Sequence, residues 1–531
     1  MNTEQINAEE LTELGIESEA FGASASNSSW VRRHLRRIAS SQLLMWAALV
    51  IVFSVLPLLW LQAGNVTDAD IWWHMRTGEW ILQHHQIPHV DPFSATTMGH
   101  PWVDYSWLFD LGANFVVAHF DLASILWFQI AMYAVITAAL LNLLSSLGMR
   151  FWAALGLTAL AVFAMVQTFS PQPEAFTIFF FILEFHVLLW AERTGRFKAL
   201  WALPVLFALW ANIHIEFVSG LFLLGAFCIE PALEWPFRHS SETARETRLP
   251  HRQLWLVLMA SLLATLANPF GVGLYQTAIH YARDTKVYDL ISELHAMEFR
   301  NLDDWLVLLL LMLGCFCLGR SRRVRPVWLL LMTWAAWMSF RSLKEMWLVP
   351  VVACALIASR HRWNPVSRRK IGLQLPSATA ATVFVVLIAG AGYLHANSQR
   401  LLRVVSDSYP VGAVSYIHQH HLQGPILNDF SWGGFLIYAL PEIPVYIDGR
   451  TNVHSQEEVL QAIALYRGDP GWHRNPGLRQ AKLVICSYSL PLAALLARDP
   501  HYRVVYNDAT SLLFEAVEPA NNGKSEGPAK P

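Results

Sequence analysis

Two aspartates stand two residues apart, Asp68 and Asp70, and an imidazole, His74, follows four residues after the second. On a helix, positions i and i+4 share a face, so Asp70 and His74 would project together. A carboxylate so placed takes a proton from a nucleophile or holds a divalent cation. The imidazole adds a ligand or a hydrogen bond. Asp70 and Asp68 are therefore the candidate catalytic residues. Asp68, Asp70 and His74 are the candidate ligands if a divalent metal such as magnesium or manganese is used. The plainer reading is that Asp68 caps a helix while Trp72, Trp73 and Trp80 anchor it at a membrane interface. His84, His85, His89 and His100 lack the tight spacing of a zinc site and are expected on the surface.

The elements that must position these residues are membrane-spanning. Charged residues make up 15% of the 531 and apolar residues 54%. A soluble domain carries about 25% charged residues, and a spanning helix needs roughly 20 apolar ones. Apolar runs fall at 43–62, 122–146, 151–168, 174–191, 199–215, 217–233, 253–268, 304–319, 326–340, 346–359 and 377–395, which makes about eleven transmembrane helices and excludes a soluble enzyme. Arg32, Arg33, Arg36 and Arg37 before the first run hold the N-terminus inside. Arg150, Arg193, Arg196 and Lys198, Arg252, Arg320 and Arg325, and Arg360 then fall in inner connections. That alternation requires 104–120, with Asp104, Asp110 and His119, to be an interfacial amphipathic helix and not a span.

Residues 1–40 read as a cytoplasmic disordered tail, acidic then basic, and 41–395 as the transmembrane domain, whose outer loop 63–121 carries the candidate site. Residues 396–515 alternate short β-like runs (426–427, 445–447, 482–486, 502–506 and 511–514) with helical ones, which predicts a small outer α/β domain. Residues 516–531 read as a disordered tail. That outer domain contains one cysteine, Cys486, so it folds without an internal disulfide. A net charge of −2 points to no nucleic-acid partner, and no nucleotide-binding glycine fingerprint is present.

The run DADIWWHMRTGEWI, with IPHVDPFSATTMGHPW after it, resembles the first outer loop of bacterial GT-C superfamily membrane glycosyltransferases. More narrowly, it resembles a branch reading D-x-D-x-W-W-H, G-x-x-I, P-x-x-D-x-F-S-x-T, G-x-x-W, through Gly78, Ile81, Pro88, Asp91, Phe93, Ser94, Thr96, Gly99 and Trp102. QPEAFT (172–177), WANIH (210–214), NPFG (268–271), ISEL (291–294), WGGFLIY (432–438) and VYIDGR (445–450) extend the resemblance over most of 43–515.

The resemblance implies a GT-C-like polytopic helical protein with a C-terminal periplasmic α/β domain. It implies an enzyme of the bacterial inner membrane that moves a sugar from a polyprenyl-phosphate-linked donor to an envelope acceptor, whether glycan, lipid or protein. It makes Asp70, then Asp68, the base or metal ligand. The chain departs from the better-known members in pairing Asp with Asp and in following them with Trp-Trp-His. A lipid phosphate would need cationic or donor-rich partners near the outer interface, and His74, Arg76, His214, Arg341 and Lys344 are the candidates. For Arg341 and Lys344 the plainer reading is snorkelling to the interface. Asp448 and Arg450 are candidate acceptor-binding residues, against a structural Asp–Arg pair in a turn. Two other functions compete: a lipid or sugar transporter, and a non-enzymatic envelope-polysaccharide assembly protein that keeps a transferase-like fold.

Overall fold

The computed structural model describes residues 68–234, 249–283, 291–320, 324–360 and 398–517. The expected spans at 43–62 and 377–395, the tail 1–40 and most of 516–531 lie outside the described residues.

The outer loop opens with helix α1 (Ile71–His84), and α2 (Trp107–Phe120) lies against it. Their close approach depends on Gly78: a Cβ there would overlap the Asp110 carbonyl of α2. The helical body follows as α3 (Ser124–Ser146), α4 (Phe151–Ala164), α5 (Glu174–Thr194), α6 (Leu203–Trp210), α7 (Phe217–Glu234), α8 (His251–Ala264), α9 (Gly273–Arg283), α10 (Leu302–Gly319), α11 (Pro326–Arg341) and α12 (Leu348–Arg360).

Among the described residues, α3, α5, α7 and α10 are long and apolar enough to cross a membrane. The other expected spans are shorter helices, such as α4 with 14 residues and α12 with 13. The expected span 199–215 is a broken element: a 3-10 segment, Phe197–Ala202, precedes the eight-residue α6. Pro204 lies at the start of α6, where proline's missing N–H and fixed φ suit a helix beginning. The segment 104–120 is, as expected, one short helix with half-exposed apolar residues, including Phe115 and Phe120.

α12 is buried along its length, because α4, α10 and α11 all pack around it. At one end of the body Arg325 ties three helices together, its guanidinium donating to Glu192 Oε2 (2.9 Å) and to both oxygens of Glu230 (2.6 and 2.5 Å).

After the undescribed 361–397 come α13 (Ser398–Ser408) and α14 (Val411–Gln419), and then a four-stranded sheet in the order β1-β2-β4-β3. β1 (Ile426–Asn428) runs parallel to β2 (Leu483–Ser487). β4 (Ser511–Ala516) is antiparallel to both β2 and β3 (Tyr502–Asn507). Between β1 and β2 lie α15 (Gly433–Ala439) and α16 (Gln456–Tyr466), the second closed by a capping box between Ser455 and Glu458. The expected strand at 445–447 is a single parallel bridge: Val445 pairs with Ile426 on one side and with Ser94 on the other. The partner at Ser94 belongs to the outer loop, so the loop adds itself to the edge of the sheet. Val445 N–H donates to the Phe93 carbonyl (3.2 Å), and Ala95 N–H donates to that of Val445 (2.7 Å).

Candidate functional site

Asp68 and Asp70 stand in the turn that begins α1. The Asp70 N–H donates to Asp68 Oδ1 at 2.8 Å, so Asp68 closes this turn ahead of the helix. The N-terminal flanking position itself is Asp70, whose side chain makes no cap. Gln172 Nε2 donates to Asp68 Oδ2 (2.6 Å), and Trp73 Nε1 donates to Asp70 Oδ1 (3.0 Å). Trp72 and Trp73 are therefore not interface anchors. They are 3% and 5% exposed, and Trp72 meets Tyr409, Phe435 and Tyr438 edge-on or tilted, at 5.2–5.5 Å.

Burial raises the Asp68 carboxyl to about 6, with the Glu293 charge adding to it. Burial raises Asp70 well above its ordinary value, and the Asp68 charge beside it raises it further. Tyr105, Tyr281, Glu293 and Lys344 complete the surroundings of Asp70 by their electrostatic effect on it, or its effect on them. The Tyr281 hydroxyl lies 3.0 Å from Thr451 Oγ1, and the Tyr105 and Tyr281 rings meet edge to face. Lys344 lies in the connection between α11 and α12, with Nζ 4.0 Å from Glu293 Oε2. Burial opposes its charge, yet Glu293, Glu174, Glu216 and Asp70 outweigh burial and keep it protonated. Glu345 joins the same group, raised to about 7 by burial although the Lys344 charge works against the rise. One lysine thus stands among carboxylates brought from the outer loop, two helix starts and two connections.

His74 does not share this site. Its Nδ1 lies 2.6 Å from Asp110 Oδ1, on α2, and both side chains are buried. Burial lowers the imidazole pKa and raises that of Asp110. The contact is therefore best written with a protonated Asp110 donating to a neutral imidazole. On the helix face that Asp70 and His74 share, Asp70 thus accepts from Trp73 and His74 meets Asp110 through Nδ1. Arg76 turns to Glu79 (2.7 Å) along α1. His214 receives the Thr177 hydroxyl at Nδ1 (2.9 Å), and Glu216 lies 3.6 Å away. Arg341 lies over the Trp337 ring at 5.4 Å and acts electrostatically on Glu345.

Asp448 and Arg450 form a buried pair that joins the outer loop to the C-terminal domain. Both are buried, and the guanidinium donates to Asp448 (2.8 and 2.7 Å), to Asp91 Oδ1 (2.8 Å) and to Ser94 Oγ (2.8 Å). Phe93 and Trp102 flank it at 5.1 and 4.8 Å. Four of the five N–H donors of this fork are spent on protein partners, and its side chain is buried. The backbone between the two residues reaches the site instead, since a Cβ on Gly449 would overlap Asp70 Oδ1.

Among the described residues, no group of three or more His, Cys, Asp or Glu side chains is arranged to hold a metal. Asp68 accepts a hydrogen bond on each oxygen, and His74 Nδ1 faces Asp110, which leaves Nε2 as the nitrogen that could ligate. His84, His85, His89 and His100 are exposed, as expected. Tyr105, Tyr281, Glu345 and Thr451 carry no motif that spacing could have revealed. They meet only because α9, the α11–α12 connection and the C-terminal domain converge on the loop.

No family model matches this chain, and neither does any curated protein. Solved structures do. AglB of Archaeoglobus fulgidus, an archaeal oligosaccharyltransferase in complex with an inhibitory peptide and a dolichol-phosphate, is similar at 11% identity and a TM-score of 0.49, over 83% of this chain and 69% of that one. The same oligosaccharyltransferase in complex with Zn and sulfate gives 11% and 0.47, over 84% and 68%. ArnT of Cupriavidus metallidurans, bound to undecaprenyl phosphate, gives 14% and 0.46, over 90% and 98%. Likeness of backbone path at this level does not carry chemistry with it.

Proposed function

We propose that this protein is a membrane glycosyltransferase that moves a sugar from a polyprenyl-phosphate-linked donor to an envelope acceptor on the periplasmic face of a bacterial inner membrane. The observation that carries the reading is the buried Asp68–Asp70 pair, on which the Lys344 charge acts.

The chemistry divides between the two charges. The ionised Asp70 takes the proton of an acceptor hydroxyl or amine as that atom attacks the anomeric carbon. The bond from the anomeric carbon to the phosphate oxygen breaks, and the lipid phosphate leaves with its electron pair. A cation beside that oxygen stabilises the developing charge, and Lys344 is the cation so placed; Arg341 is the second candidate. Desolvation strengthens both effects, because charges interact more strongly away from water. Asp68 and Asp70 would be the residues to hold a divalent cation, which would supply charge neutralisation at the leaving phosphate.

A lipid donor also needs an apolar surface beside the site. A cavity of about 230 Å³ lies under α2, walled by Ile71, Phe109, Val116, Val117, Phe128 and Phe176. Ile71, the residue after Asp70 in the chain, is part of that wall. Its wall is almost wholly apolar, which suits an isoprenoid tail and not a free sugar. The clustering of ionisable groups around one buried carboxylate pair favours chemistry over transport.

The test is sugar transfer by the purified protein in nanodiscs, with a panel of polyprenyl-phosphate sugars, membrane extract as acceptor source, and an arm containing EDTA. Asp70→Asn should reduce transfer at least about a hundredfold, the usual span for a lost acid–base group. Lys344→Gln should fall comparably. Wild-type rates from a folded Asp70→Asn protein would overturn the assignment.

A further inference from the structure

We infer that the C-terminal domain positions the Asp70 carboxylate through the backbone at Gly449, which the Asp448–Arg450 pair holds against it. The inference rests on Asp70 being the reactive carboxylate. It concerns what aims that carboxylate, which neither the sequence motif nor the fold supplies.

Three observations converge. First, the space between Gly449 and Asp70 Oδ1 is too small for any side chain: a Cβ would lie closer to the carboxylate than real Cβ atoms approach anything. Second, Gly449 has little freedom to yield. Its neighbours Asp448 and Arg450 are 0% and 2% exposed. They are joined to each other, to Asp91 and Ser94 of the outer loop, and to His454 (3.1 Å from Asp448). Buried charge pairs with several hydrogen bonds each are stiff, because any movement leaves a desolvated charge unpaired. Third, the opposite constraint on the same oxygen is the Trp73 indole N–H, 3.0 Å from Oδ1. Trp73 is itself 5% exposed and meets Trp102, the ring that flanks Arg450.

The carboxylate thus lies between an indole from its own helix and a backbone from a domain about 380 residues further along the chain. Two long-range features meet in one atom. The buried Arg450 fork joins loop to domain, and the missing side chain at 449 lets the domain reach the carboxylate. An acid–base group misplaced by about 1 Å loses roughly a hundredfold in rate. Gly449 is therefore a positioning residue: it touches the reactive group but no substrate.

Gly449→Ala tests this, read in two ways on the full chain in nanodiscs. In steady-state transfer, kcat should fall roughly tenfold to a hundredfold, while KM for the lipid donor stays within about twofold. A merely structural loss would instead lower the folded fraction and leave the kcat of the folded part unchanged, so thermal melting runs alongside. The second readout needs no substrate. With ¹⁵N-indole-labelled tryptophan, the Trp73 resonance is assigned by its loss in Trp73→Phe. In Gly449→Ala it should move in the direction that it moves in Asp70→Ala, because in both the bond to Oδ1 is lost. Arg450→Lys, which keeps the charge but not the fork, should move it part of the way.

A Trp73 resonance and a kcat both unchanged in folded Gly449→Ala would overturn the inference. Failure of the wild type to transfer any sugar would count against the glycosyltransferase reading alone, because the indole readout would still decide whether Gly449 positions Asp70.

Discussion

Asp68 and Asp70 carry the pH dependence. Two carboxylates this close titrate as a pair, so their apparent values belong to the pair. Burial is the larger cause of both rises, and the second charge then raises Asp70 further. A base works ionised, so kcat/KM should climb with pH above the ordinary carboxylate range, the direction in which burial and the Asp68 charge move Asp70. Asp68→Asn removes the charge that raises Asp70, so the acid limb of the pH–rate profile should move to lower pH; an unmoved limb would mean that another group sets it. The effect on stability has the opposite sign. A folded carboxyl that holds its proton more tightly than the unfolded one makes the fold less stable as pH rises from about 4 toward the folded value. The site is thus held at a cost in stability, as sites with perturbed carboxyls generally are.

Among the elements, the buried Arg450 fork decides whether the outer loop stays on the C-terminal sheet. Arg450→Met would leave Asp91 and Asp448 in the interior without their cation. Removing one partner of such a pair costs about 3–5 kcal/mol. Melting of the purified protein should show that loss, together with faster proteolysis of the loop at 85–103. Burial alone would raise Asp448, but the charges and hydrogen bonds of Arg450 and His454 hold it well below the usual carboxylate range. A depressed folded value contributes stability above the unfolded one, so this contribution is present above about pH 4 and lost below it. A melting series from pH 6 to pH 3 should show the drop in wild type and little of it in Asp448→Asn. Gly78 makes a simpler prediction. Gly78→Leu should separate α1 from α2 and cost about 1–3 kcal/mol, as overpacked interfaces do.

For the whole molecule, the proposed orientation puts the C-terminal domain and the Arg325 cluster on opposite sides of the membrane. Tyr488 is 49% exposed on that domain, and Arg196 is exposed in an expected inner connection. A cysteine at 488 should react with a membrane-impermeant maleimide in intact spheroplasts, while one at 196 should react only after lysis. Labelling of both in intact cells would reverse or break the proposed topology. Arg325→Met should destabilise the helical body, since the buried Glu230 would lose the cation that meets both of its oxygens.

The chain by itself determined the helical character, a short helix within 104–120, the small C-terminal sheet and the place of Asp68 and Asp70 at a helix start. These follow from local quantities: runs of apolar residues, alternation over a few positions, and an acidic pair beside a helix start. It left open the partners of residues whose contacts are distant. His74 shares a helical face with Asp70 by spacing, and Asp110 of α2 meets its Nδ1. Asp448 and Arg450 read either as acceptor-binding residues or as a structural pair in a turn, and the outer loop buries them. Trp72 and Trp73 read as interface anchors, but α15 and the outer loop cover them. In each case burial was decided by a segment far away in sequence. Only the tertiary structure could bring Lys344, Tyr281 and Gly449 to Asp70, because desolvation and charge pairing act across space and leave no period or spacing in the chain.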